Sequence, residues 1–536
     1  MEIRPVPLLL AAAIPVFFIG LGANSIWDAN EAFYVETPRQ MLATGDYISP
    51  SFNGEPRFNK PVLSYWIVAA FYHVFGESVA AERLAIAAGA MGLLWAVYTI
   101  GRALRLPDTG LLAALILATA PRVVFFSRRI FIDVYITMFM AMALACFVMA
   151  ERSPGRKRAW LIGMYVALGL GTLTKGPMAL ALPALTLLVW LVSERRIGDV
   201  RRLMLLPGAA IVLAIVAPWY LAIYAQHGWA YIWEFFVVEN LGRYANPVTT
   251  DRPFFFFLPV LFVDMLLPWA PLLLVPIVTA WRKDDDPNGA IRRLLWWWIV
   301  VIVGFFSLSS SKEDLYIFPA VPAAAALIAD ALLVSRWTEL HRGLRTVLAG
   351  IAVLCVLLAA AIALYFRDGF YGVAGATPMA ILLALGSLLI LASLWQRRFE
   401  IAGLTLAATF IMFNYLFVTR ALPDIERLKP VPPLAAVIAD SAGPDGRLGF
   451  FNMDLPSLVY YARRPVTKLG DLETAVRFFN DHREVWVLAG EEQWTELSAR
   501  VPSACIAARH PLFVAKGSDI LDRRPPPDVL LVKKCN

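Results

Sequence analysis

Long apolar runs dominate this chain and alternate with short polar connections. Several runs reach the roughly 18 to 20 apolar residues that are needed to cross a hydrocarbon core of about 30 Å. They predict an α-helical polytopic membrane protein with about thirteen transmembrane helices. The predicted spans are residues 6–24, 79–101, 109–126, 132–150, 159–174, 177–193, 203–225, 255–281, 294–310, 315–334, 344–366, 376–395 and 401–420. The first run follows only Arg4 and lacks a small-residue cleavage site, so it is expected to be a retained anchor.

Basic residues mark alternate connections between these runs. Short loops rich in Lys and Arg stay on the cytoplasmic side, which orients the chain. The N-terminus is then predicted to be cytoplasmic, the loop at 27–78 extracytoplasmic, and the C-terminal segment extracytoplasmic. The residues that carry this signal are Arg102, Arg105, Arg152, Arg156, Lys157, Arg158, Arg195, Arg196, Arg201, Arg202, Arg282, Lys283, Arg292, Arg293, Arg336, Arg342, Arg345, Arg397 and Arg398.

The pattern changes after residue 420. Residues 421–433 are Pro-rich and are predicted to be a linker that leaves the membrane part at 1–420. Residues 434–536 alternate short apolar runs (RLGFFNM, EVWVLAG, DVLLVKK) with helical patterns (PSLVYYARR, LETAVRFFNDH, EQWTELSARV). This order predicts a small extracytoplasmic α/β domain.

Composition and cysteine placement agree with this organisation. The chain is 59% hydrophobic and 17% charged, with mean hydropathy +0.64, which excludes a soluble domain. The pI of about 9.2 reflects the basic loops, so nucleic acid is not an expected partner. Cys505 and Cys535 are predicted to pair, because they fall in the segment assigned to the oxidising side. Cys146 and Cys355 fall inside predicted spans and are expected to be core thiols.

The first extracytoplasmic loop, WDANEAFYVETPRQMLATGDYISPSFNGEPRFNKPVLSYW, is unusually charged for a segment beside the bilayer. Charge is costly there, so the loop is expected to carry function. A helix is predicted to begin near Asp28 and to end near Gly45. Asp28 and Glu31 have the spacing of a capping box, an arrangement that does not exclude a functional role. Glu36 and Arg39 are spaced as a helical ion pair, and Pro38 is expected to kink or break the helix.

The loop also carries an ordered set of residues, E-A-x-Y-x-E-x-x-R-x-M-L-x-x-G-D-Y followed by N-G-x-x-x-x-x-K-P-x-L-x-Y-W. The set resembles membrane glycosyltransferases of GT-C type that use polyprenyl-phosphate sugars. It is similar to the bacterial aminoarabinose transferases of lipid A and, more distantly, to protein O-mannosyltransferases. The likeness covers roughly residues 20–330. It implies a multi-pass protein of the bacterial inner membrane that transfers sugar, with inversion, on the periplasmic side.

The matching residues supply cations that can hold a lipid phosphate. Lys60, Arg243 and Lys312 are the leading candidates, since Arg presents a fork to phosphate oxygens and Lys acts as a point charge. Each alone can instead be a residue that snorkels to the membrane interface, and interface belts explain Tyr equally well. Further substrate-binding candidates are Tyr65, Tyr316, Arg128 (with Arg129 in reserve), Glu239 and Arg39.

Asp28 and Glu31 are the leading candidates for catalytic carboxylates, with Asp133 as a third. A hydroxyl acceptor needs a carboxylate within hydrogen-bond reach, whereas a phosphate acceptor is already anionic. The relatives carry Asp directly before the Glu, where this chain has Asn30, and Arg two residues after it, where this chain has Phe33. The acceptor is therefore left open between a lipid A or cell-envelope glycan and a hydroxyl group of a lipid, glycan or protein.

Two further departures concern a metal. The resemblance implies a divalent ion held by a Glu before the loop Lys and by a His in a later outer loop. This chain has Asn59 and Asn240 at those positions, and amides are poor ligands for a transition metal. No metal is expected there, although Asp28 with Glu31 can hold a hard cation.

The sequence thus predicts a glycosyltransferase that uses an undecaprenyl-phosphate or related polyprenyl-phosphate sugar. The alternative is a transporter or flippase of lipid-linked sugars without catalysis. No pair of Gly- or Pro-interrupted helices recurs in matching halves of the sequence, and the charges lie in loops instead of at mid-bilayer. Both features favour the enzyme.

Overall fold

The computed structural model describes residues 5–242, 244, 252–277, 288–334, 341–481, 483–513 and 517–535. Helices make up most of it. The helices of fourteen or more residues are Asn30–Thr44, Val79–Leu104, Ile132–Arg152, Lys157–Lys175, Met178–Ser193, Leu205–His227, Gly289–Ser307, Val321–Val334, His341–Tyr365, Ala376–Trp395 and Phe399–Leu416. Shorter helices include Pro5–Ala13, Leu63–Phe75, Pro107–Thr119, Pro121–Phe126 and Val431–Ser441.

Within the described ranges, eight helices are long and apolar enough to cross a membrane. Two further helical segments, Phe254–Met265 and Ala270–Ile277, are bent by 118° relative to each other. If they form one broken span, the described residues contain nine candidate spans. The predicted span 109–126 is divided at Ala120, whose backbone is extended (ψ 117°) because the next residue is Pro121. The predicted span 6–24 is also divided: its helix Pro5–Ala13 gives way to a single 3₁₀ turn. The end of the predicted span 255–281, residues 278–281, lies outside the described residues.

Helix Ile132–Arg152 lies deep in the bundle and packs against Val79–Leu104 and Lys157–Lys175. Helices Val79–Leu104 and Pro107–Thr119 approach until their backbones touch at two glycines. A Cβ atom on Gly101 would lie 2.8 Å from the Cα of Gly110, which no side chain tolerates. The small residues therefore set how closely these two helices pack.

Residues 27–78, the loop predicted to be extracytoplasmic, are named the first outer loop. Its helix, Asn30–Thr44, ends where the sequence predicted. Gly45 follows it in the left-handed conformation, with φ 72°. The expected break at Pro38 is wrong, since the helix continues through that residue. The predicted capping box is also wrong in its pairing: Glu31 accepts from the amide of Trp27 at 2.8 Å, while the side chain of Asp28 bonds elsewhere.

The C-terminal segment contains a five-stranded sheet. Its strands are β3 (Arg447–Phe451), β4 (Val466–Leu469), β5 (Val485–Gly490), β6 (Ala504–Pro511) and β7 (Asp528–Lys534), numbered after the short hairpin β1–β2 (Ser51–Phe52, Glu55–Pro56). They run in the order β4-β3-β5-β7-β6. Strand β3 is parallel to β4 and β5, and β7 is antiparallel to β5 and β6. The three apolar runs noted in the sequence form the three inner strands.

Two predictions for this region have definite outcomes. The disulfide between Cys505 and Cys535 is present, with Cα atoms 5.9 Å apart, and Cys146 and Cys355 are free thiols inside helices. The predicted linker at 421–433 is not an extended connection. Helical turns cover Leu422–Leu428, and helix Val431–Ser441 begins before the predicted domain start at residue 434.

The C-terminal segment docks on the first outer loop through side chain to backbone hydrogen bonds. Asn53 both donates to the carbonyl of Val466, at 2.8 Å, and accepts from its amide, at 2.9 Å. The hydroxyl of Tyr461 accepts from the amide of Ile26 at 2.8 Å. These contacts fix the loop against the sheet, and the loop in turn forms one wall of the cavity described next.

Candidate active site

A cavity of about 470 Å³ lies where the first outer loop meets the ends of several helices. Its polar side chains come from separate parts of the chain: Asn30, Tyr34, Lys60, Asp133, Lys175, Glu239, Asn240, Ser309, Ser311, Glu313 and Tyr316. Its apolar wall includes Ile136, Met140, Met178 and Leu182. The cavity therefore pairs a charged region with an apolar one, as a lipid with an anionic head group requires.

One charged group in the cavity joins the first outer loop to the segment Trp233–Gly242. The ammonium of Lys60 lies 3.7 Å from Glu239. The amide of Asn59 donates to the other oxygen of the same carboxylate at 2.9 Å. Because an ammonium carries three N–H donors, Lys60 can hold Glu239 and still donate to an oxygen of a ligand.

A second charged group joins the ends of two helices. Lys175, in the last turn of Lys157–Lys175, donates to Asp133, in the first turn of Ile132–Arg152. Asp133 is buried, with 6% of its surface exposed. The ammonium of Lys175 also lies 5.8 Å from the centre of the Tyr316 ring, within reach of a cation–π interaction. Both lysines of the cavity are thus held beside a carboxylate.

Two tyrosines close the wall beside the loop helix. The rings of Tyr34 and Tyr65 stack with centroids 5.4 Å apart. Burial raises the pKa of Tyr34, so its phenol stays protonated and remains a hydrogen-bond donor. Tyr34 and Tyr316 line the cavity, whereas Tyr65 lies behind Tyr34 with no exposed surface. Tyr65, which was predicted to bind substrate, therefore does not line the cavity but stacks on Tyr34, which does.

The other two predicted phosphate-binding cations are placed differently. Lys312 is buried and donates to the carbonyl of Ser309 at 2.8 Å; its neighbours Ser311 and Glu313 line the cavity, but Lys312 does not. Arg243 lies outside the described residues. Of the two predicted cations that the structure describes, Lys60 lines the cavity and Lys312 does not, and Lys175 is a further cation among the described lining residues.

The two leading candidates for catalytic carboxylates do not line the cavity, so that prediction is wrong in position. Glu31 is buried and forms an ion pair with Arg83 at 2.7 Å, because a buried carboxylate must be paired. Burial by itself would raise the pKa of Glu31, but Arg83 holds it below its usual range. Asp28 accepts two hydrogen bonds from Ser457 of the C-terminal segment. Of the three candidates, Asp133 lines the cavity.

The remaining predicted binding residues also have structural partners outside the cavity. Arg128 is buried and donates to the carbonyls of Val16 and Ile19. The guanidinium of Arg129 lies 4.3 Å from the ring centre of Trp27. Arg39 forms the predicted helical ion pair with Glu36, at 2.6 Å. These arginines hold the first loop and the first helix in place and do not reach the cavity.

Lys175 and Asn30 line the cavity but were not among the site residues predicted from the sequence. Lys175 is the last residue of helix Lys157–Lys175 and is followed by Gly176 and Pro177, and this position at a helix end is the signal that the sequence offers. Asn30 was treated as a lost carboxylate, yet it lies at the start of the loop helix and lines the cavity itself. The sequence does not show that these two helix ends meet, so it does not predict that both residues line one cavity.

The residues present fit a transition metal poorly. Within the described ranges, no three side chains of His, Cys, Asp or Glu are grouped closely enough to hold an ion. At the two positions where the resemblance implies ligands, Asn59 turns its amide donor toward Glu239, and Asn240 donates to the carbonyl of Phe235 at 2.6 Å. At these two positions the side chains therefore present N–H donors to their neighbours, where metal ligands would present lone pairs.

Comparison with solved structures shows which fold the chain has. The chain has the GT-C fold of membrane glycosyltransferases. It superposes on ArnT from Cupriavidus metallidurans bound to undecaprenyl phosphate with a TM-score of 0.80, at 22% identity, over 99% of this chain and 98% of that chain. It superposes less closely on the oligosaccharyltransferase from Archaeoglobus fulgidus, with a TM-score of 0.53 at 14% identity over 92% of this chain and 71% of that chain.

Comparison of sequences points to particular relatives. Residues 59–221 match the family described as dolichyl-phosphate-mannose-protein mannosyltransferase. The chain is 29% identical, over 66% of its length, to undecaprenyl phosphate-alpha-4-amino-4-deoxy-L-arabinose arabinosyl transferase 1 from Pseudomonas fluorescens, and spans 63% of that relative. It is 33% identical, over 61% of its length, to the corresponding transferase from Pseudomonas aeruginosa strain UCBPP-PA14, and spans 59% of it. The resemblance noted in the sequence is thereby confirmed.

Proposed function

We propose that this chain is a glycosyltransferase that moves a sugar from an undecaprenyl-phosphate or similar polyprenyl-phosphate donor to an acceptor at the outer face of the bacterial inner membrane. The observation that carries the proposal is the cavity, where Lys60 and Lys175 stand beside an apolar wall in a fold shared with ArnT. Its acceptor is a lipid A or cell-envelope glycan, or a hydroxyl group.

The donor is proposed to bind with its tail along the apolar wall and its phosphate at the lysines. Ile136, Met140 and Leu182 line the wall, and the first two belong to the helix that begins beside Asp133. The phosphate accepts hydrogen bonds from Lys60 and Lys175 without displacing the paired carboxylates, because each ammonium has donors in more than one direction.

Transfer is proposed to proceed by direct displacement. The acceptor oxygen bonds to the anomeric carbon while the bond from that carbon to the phosphate oxygen breaks. The electron pair leaves with the lipid phosphate, whose growing charge Lys60 and Lys175 stabilise; such preorganised electrostatics is usually the largest catalytic effect. If the acceptor is a hydroxyl, its proton passes to Asp133, the cavity carboxylate of the three predicted. Attack from the face opposite the phosphate inverts the anomeric carbon.

The proposal includes an organisation of the chain in the membrane. Thirteen spans in residues 1–420 place the N-terminus in the cytoplasm and residues 434–536 in the periplasm. The basic residues at alternate connections support this orientation. The disulfide between Cys505 and Cys535 supports it as well, since disulfides persist in the periplasm. Alkaline phosphatase fused after residue 536 should therefore be active, and a fusion after Arg158 inactive.

Transfer can be measured with purified protein in lipid nanodiscs, given undecaprenyl-phosphate sugars and a cell-envelope lipid extract. Mass spectrometry then identifies which lipid gains a pentose, hexose or amino sugar. Lys60→Ala and Lys175→Ala should each lower the rate by at least about a hundredfold, as for the loss of one stabilising donor. Lys157→Ala is the matched control. The ammonium of Lys157 lies 3.2 Å from the carboxylate of Glu151, and neither residue lines the cavity. Wild-type rates in both cavity variants would refute the proposal.

A further inference from the structure

The two amides at the positions of the implied metal ligands make specific hydrogen bonds. Asn59 donates to one oxygen of Glu239 at 2.9 Å, while Lys60 approaches the other oxygen at 3.7 Å. We call Asn59, Glu239 and Lys60 the amide clasp. Asn240, next to Glu239, donates to Phe235 at 2.6 Å and so stabilises its own segment, Trp233–Gly242.

We infer that the amide clasp takes the place of a divalent ion in this chain, so that the cavity binds a lipid phosphate without a metal. The inference rests on the proposed function only for the identity of the ligand. Asn59 is assigned as a positioning residue: it holds the carboxylate of Glu239, and that carboxylate holds the ammonium of Lys60 at the cavity.

The clasp can do the structural work that an ion would do. It joins two segments far apart in the sequence, the outer loop at residues 59–60 and the segment Trp233–Gly242. It also places two partners beside a carboxylate with 8% of its side chain exposed: one oxygen accepts a hydrogen bond from the amide of Asn59, and the other lies 3.7 Å from the ammonium of Lys60. A hydrogen bond from a neutral amide to a carboxylate is stronger than one between neutral groups.

The clasp has a second consequence for Lys60. Without the amide donor of Asn59, Glu239 would satisfy its charge by closing on the ammonium of Lys60. A tight ion pair would then compete with the ligand phosphate for the same donors. Asn59→Ala should therefore weaken the binding of undecaprenyl phosphate about tenfold, as expected for one lost hydrogen bond to a charged group.

The test measures metal content and the binding of undecaprenyl phosphate, neither of which needs turnover. Wild-type protein should contain less than one tenth of a metal ion per chain by elemental analysis. Its dissociation constant for undecaprenyl phosphate should not change after treatment with EDTA. A stoichiometric metal that is lost with EDTA, together with loss of binding, would overturn the inference.

A designed variant provides a positive control. Asn59→Glu with Asn240→His would place a carboxylate and an imidazole beside Glu239, a ligand set suited to a transition metal. The double variant should bind one Co²⁺, seen as visible absorption, and should melt at a higher temperature with the ion than without it. The single variant Asn240→His should show neither effect, because it lacks the third ligand. Absorption by Co²⁺ in wild-type protein would count against the clasp.

The two proposals can fail separately. If undecaprenyl phosphate does not bind to wild-type protein under any condition, the proposed function is wrong. Metal content and the Co²⁺ response of the variants would still decide whether the clasp replaces an ion. If the lipid binds only when a divalent ion is added, the proposed function survives and the clasp inference is wrong.

Discussion

Ser457 donates two hydrogen bonds to Asp28: its amide lies 2.7 Å from one carboxylate oxygen and its hydroxyl 2.5 Å from the other. The two residues are separated by 429 positions in the sequence. The contact ties the beginning of the loop helix to the C-terminal segment. An acidic residue that looks like a candidate base in the sequence is therefore a structural link between the two parts of the chain.

The first prediction concerns the ionisation of Asp28. Burial raises its pKa from 3.8 to about 6, so the folded protein holds this proton more tightly than the unfolded chain. The resulting stabilisation, about 2 to 3 kcal/mol, is fully present below pH 3.8 and is lost as the pH rises through 6. In Asp28→Asn, the amide accepts from the backbone of Ser457 and donates to its hydroxyl at every pH.

Thermal unfolding followed by tryptophan fluorescence from pH 4 to pH 8 checks this. The melting temperature of wild-type protein should fall relative to that of Asp28→Asn as the pH rises. Asp440→Asn, on an exposed position of helix Val431–Ser441, should follow the wild-type curve. Parallel curves for wild type and Asp28→Asn would contradict the prediction.

The second prediction concerns the pair formed by Lys175 and Asp133. Lys175→Met would leave the charge of Asp133 uncompensated in the cavity, where it would repel a lipid phosphate. Adding Asp133→Asn removes that charge and should restore affinity about tenfold relative to Lys175→Met, since close charge pairs couple by one to several kcal/mol. Binding of undecaprenyl phosphate to the two variants measures the coupling. Equal affinities would show that the ligand phosphate does not approach Asp133.

The third prediction concerns the buried pair of Arg83 and Glu31. Arg83 also donates to the carbonyls of Leu21, Asn24 and Ser25. Arg83→Met would remove one donor from each of these carbonyls and the paired charge from the buried carboxylate of Glu31, which costs about 3 to 5 kcal/mol of the free energy of unfolding. The variant should therefore yield little monodisperse protein and melt at a much lower temperature.

The exposed pair of Arg500 and Glu473 is the control for that experiment. Its atoms lie 3.0 Å apart, but 53% and 67% of the two side chains are exposed. Exposed pairs contribute about 0 to 1 kcal/mol, so Arg500→Met should unfold almost as wild type does. Similar losses in Arg83→Met and Arg500→Met would mean that burial does not decide the strength of these pairs.

The fourth prediction concerns the contact between Gly101 and Gly110. Gly101→Ala would force the helices Val79–Leu104 and Pro107–Thr119 apart, because the added carbon meets backbone atoms that cannot move alone. Overpacking of this kind costs about 1 to 3 kcal/mol. Gly350→Ala is the control: its added carbon meets nothing within 4 Å, and Ala favours the helix by about 1 kcal/mol. Melting temperatures should therefore shift in opposite directions.

The sequence predicted those helices and strands that are marked by an apolar run or by a terminating glycine within their own residues. Long apolar runs gave the spanning helices, and Gly45 marked the end of the loop helix. In the sheet, the inner strands β3, β5 and β7 were visible because strands covered on both sides read as apolar runs. The edge strands β4 and β6 were missed, since edge positions alternate with polar residues or are only half-buried.

The site was harder to predict, because a side chain's spacing in the loop does not show what it will meet. Glu31 has the right residue type for a catalytic base, but Arg83, in helix Val79–Leu104, pairs with it. Lys175 lies at a helix end, as many lysines do, and only the folded chain brings it beside Asp133. Such pairings between distant segments depend on packing, which one sequence does not display.

Because Asp28 and Asn53 take their partners from Ser457 and Val466, the loop that forms one wall of the cavity is held by residues of the last fifth of the polypeptide. A ribosome releases those last residues only at the end of translation. A premature stop codon shortly before β4 would therefore leave the loop without the partners that Ser457 or Val466 supply, although every residue that lines the cavity would already have been made.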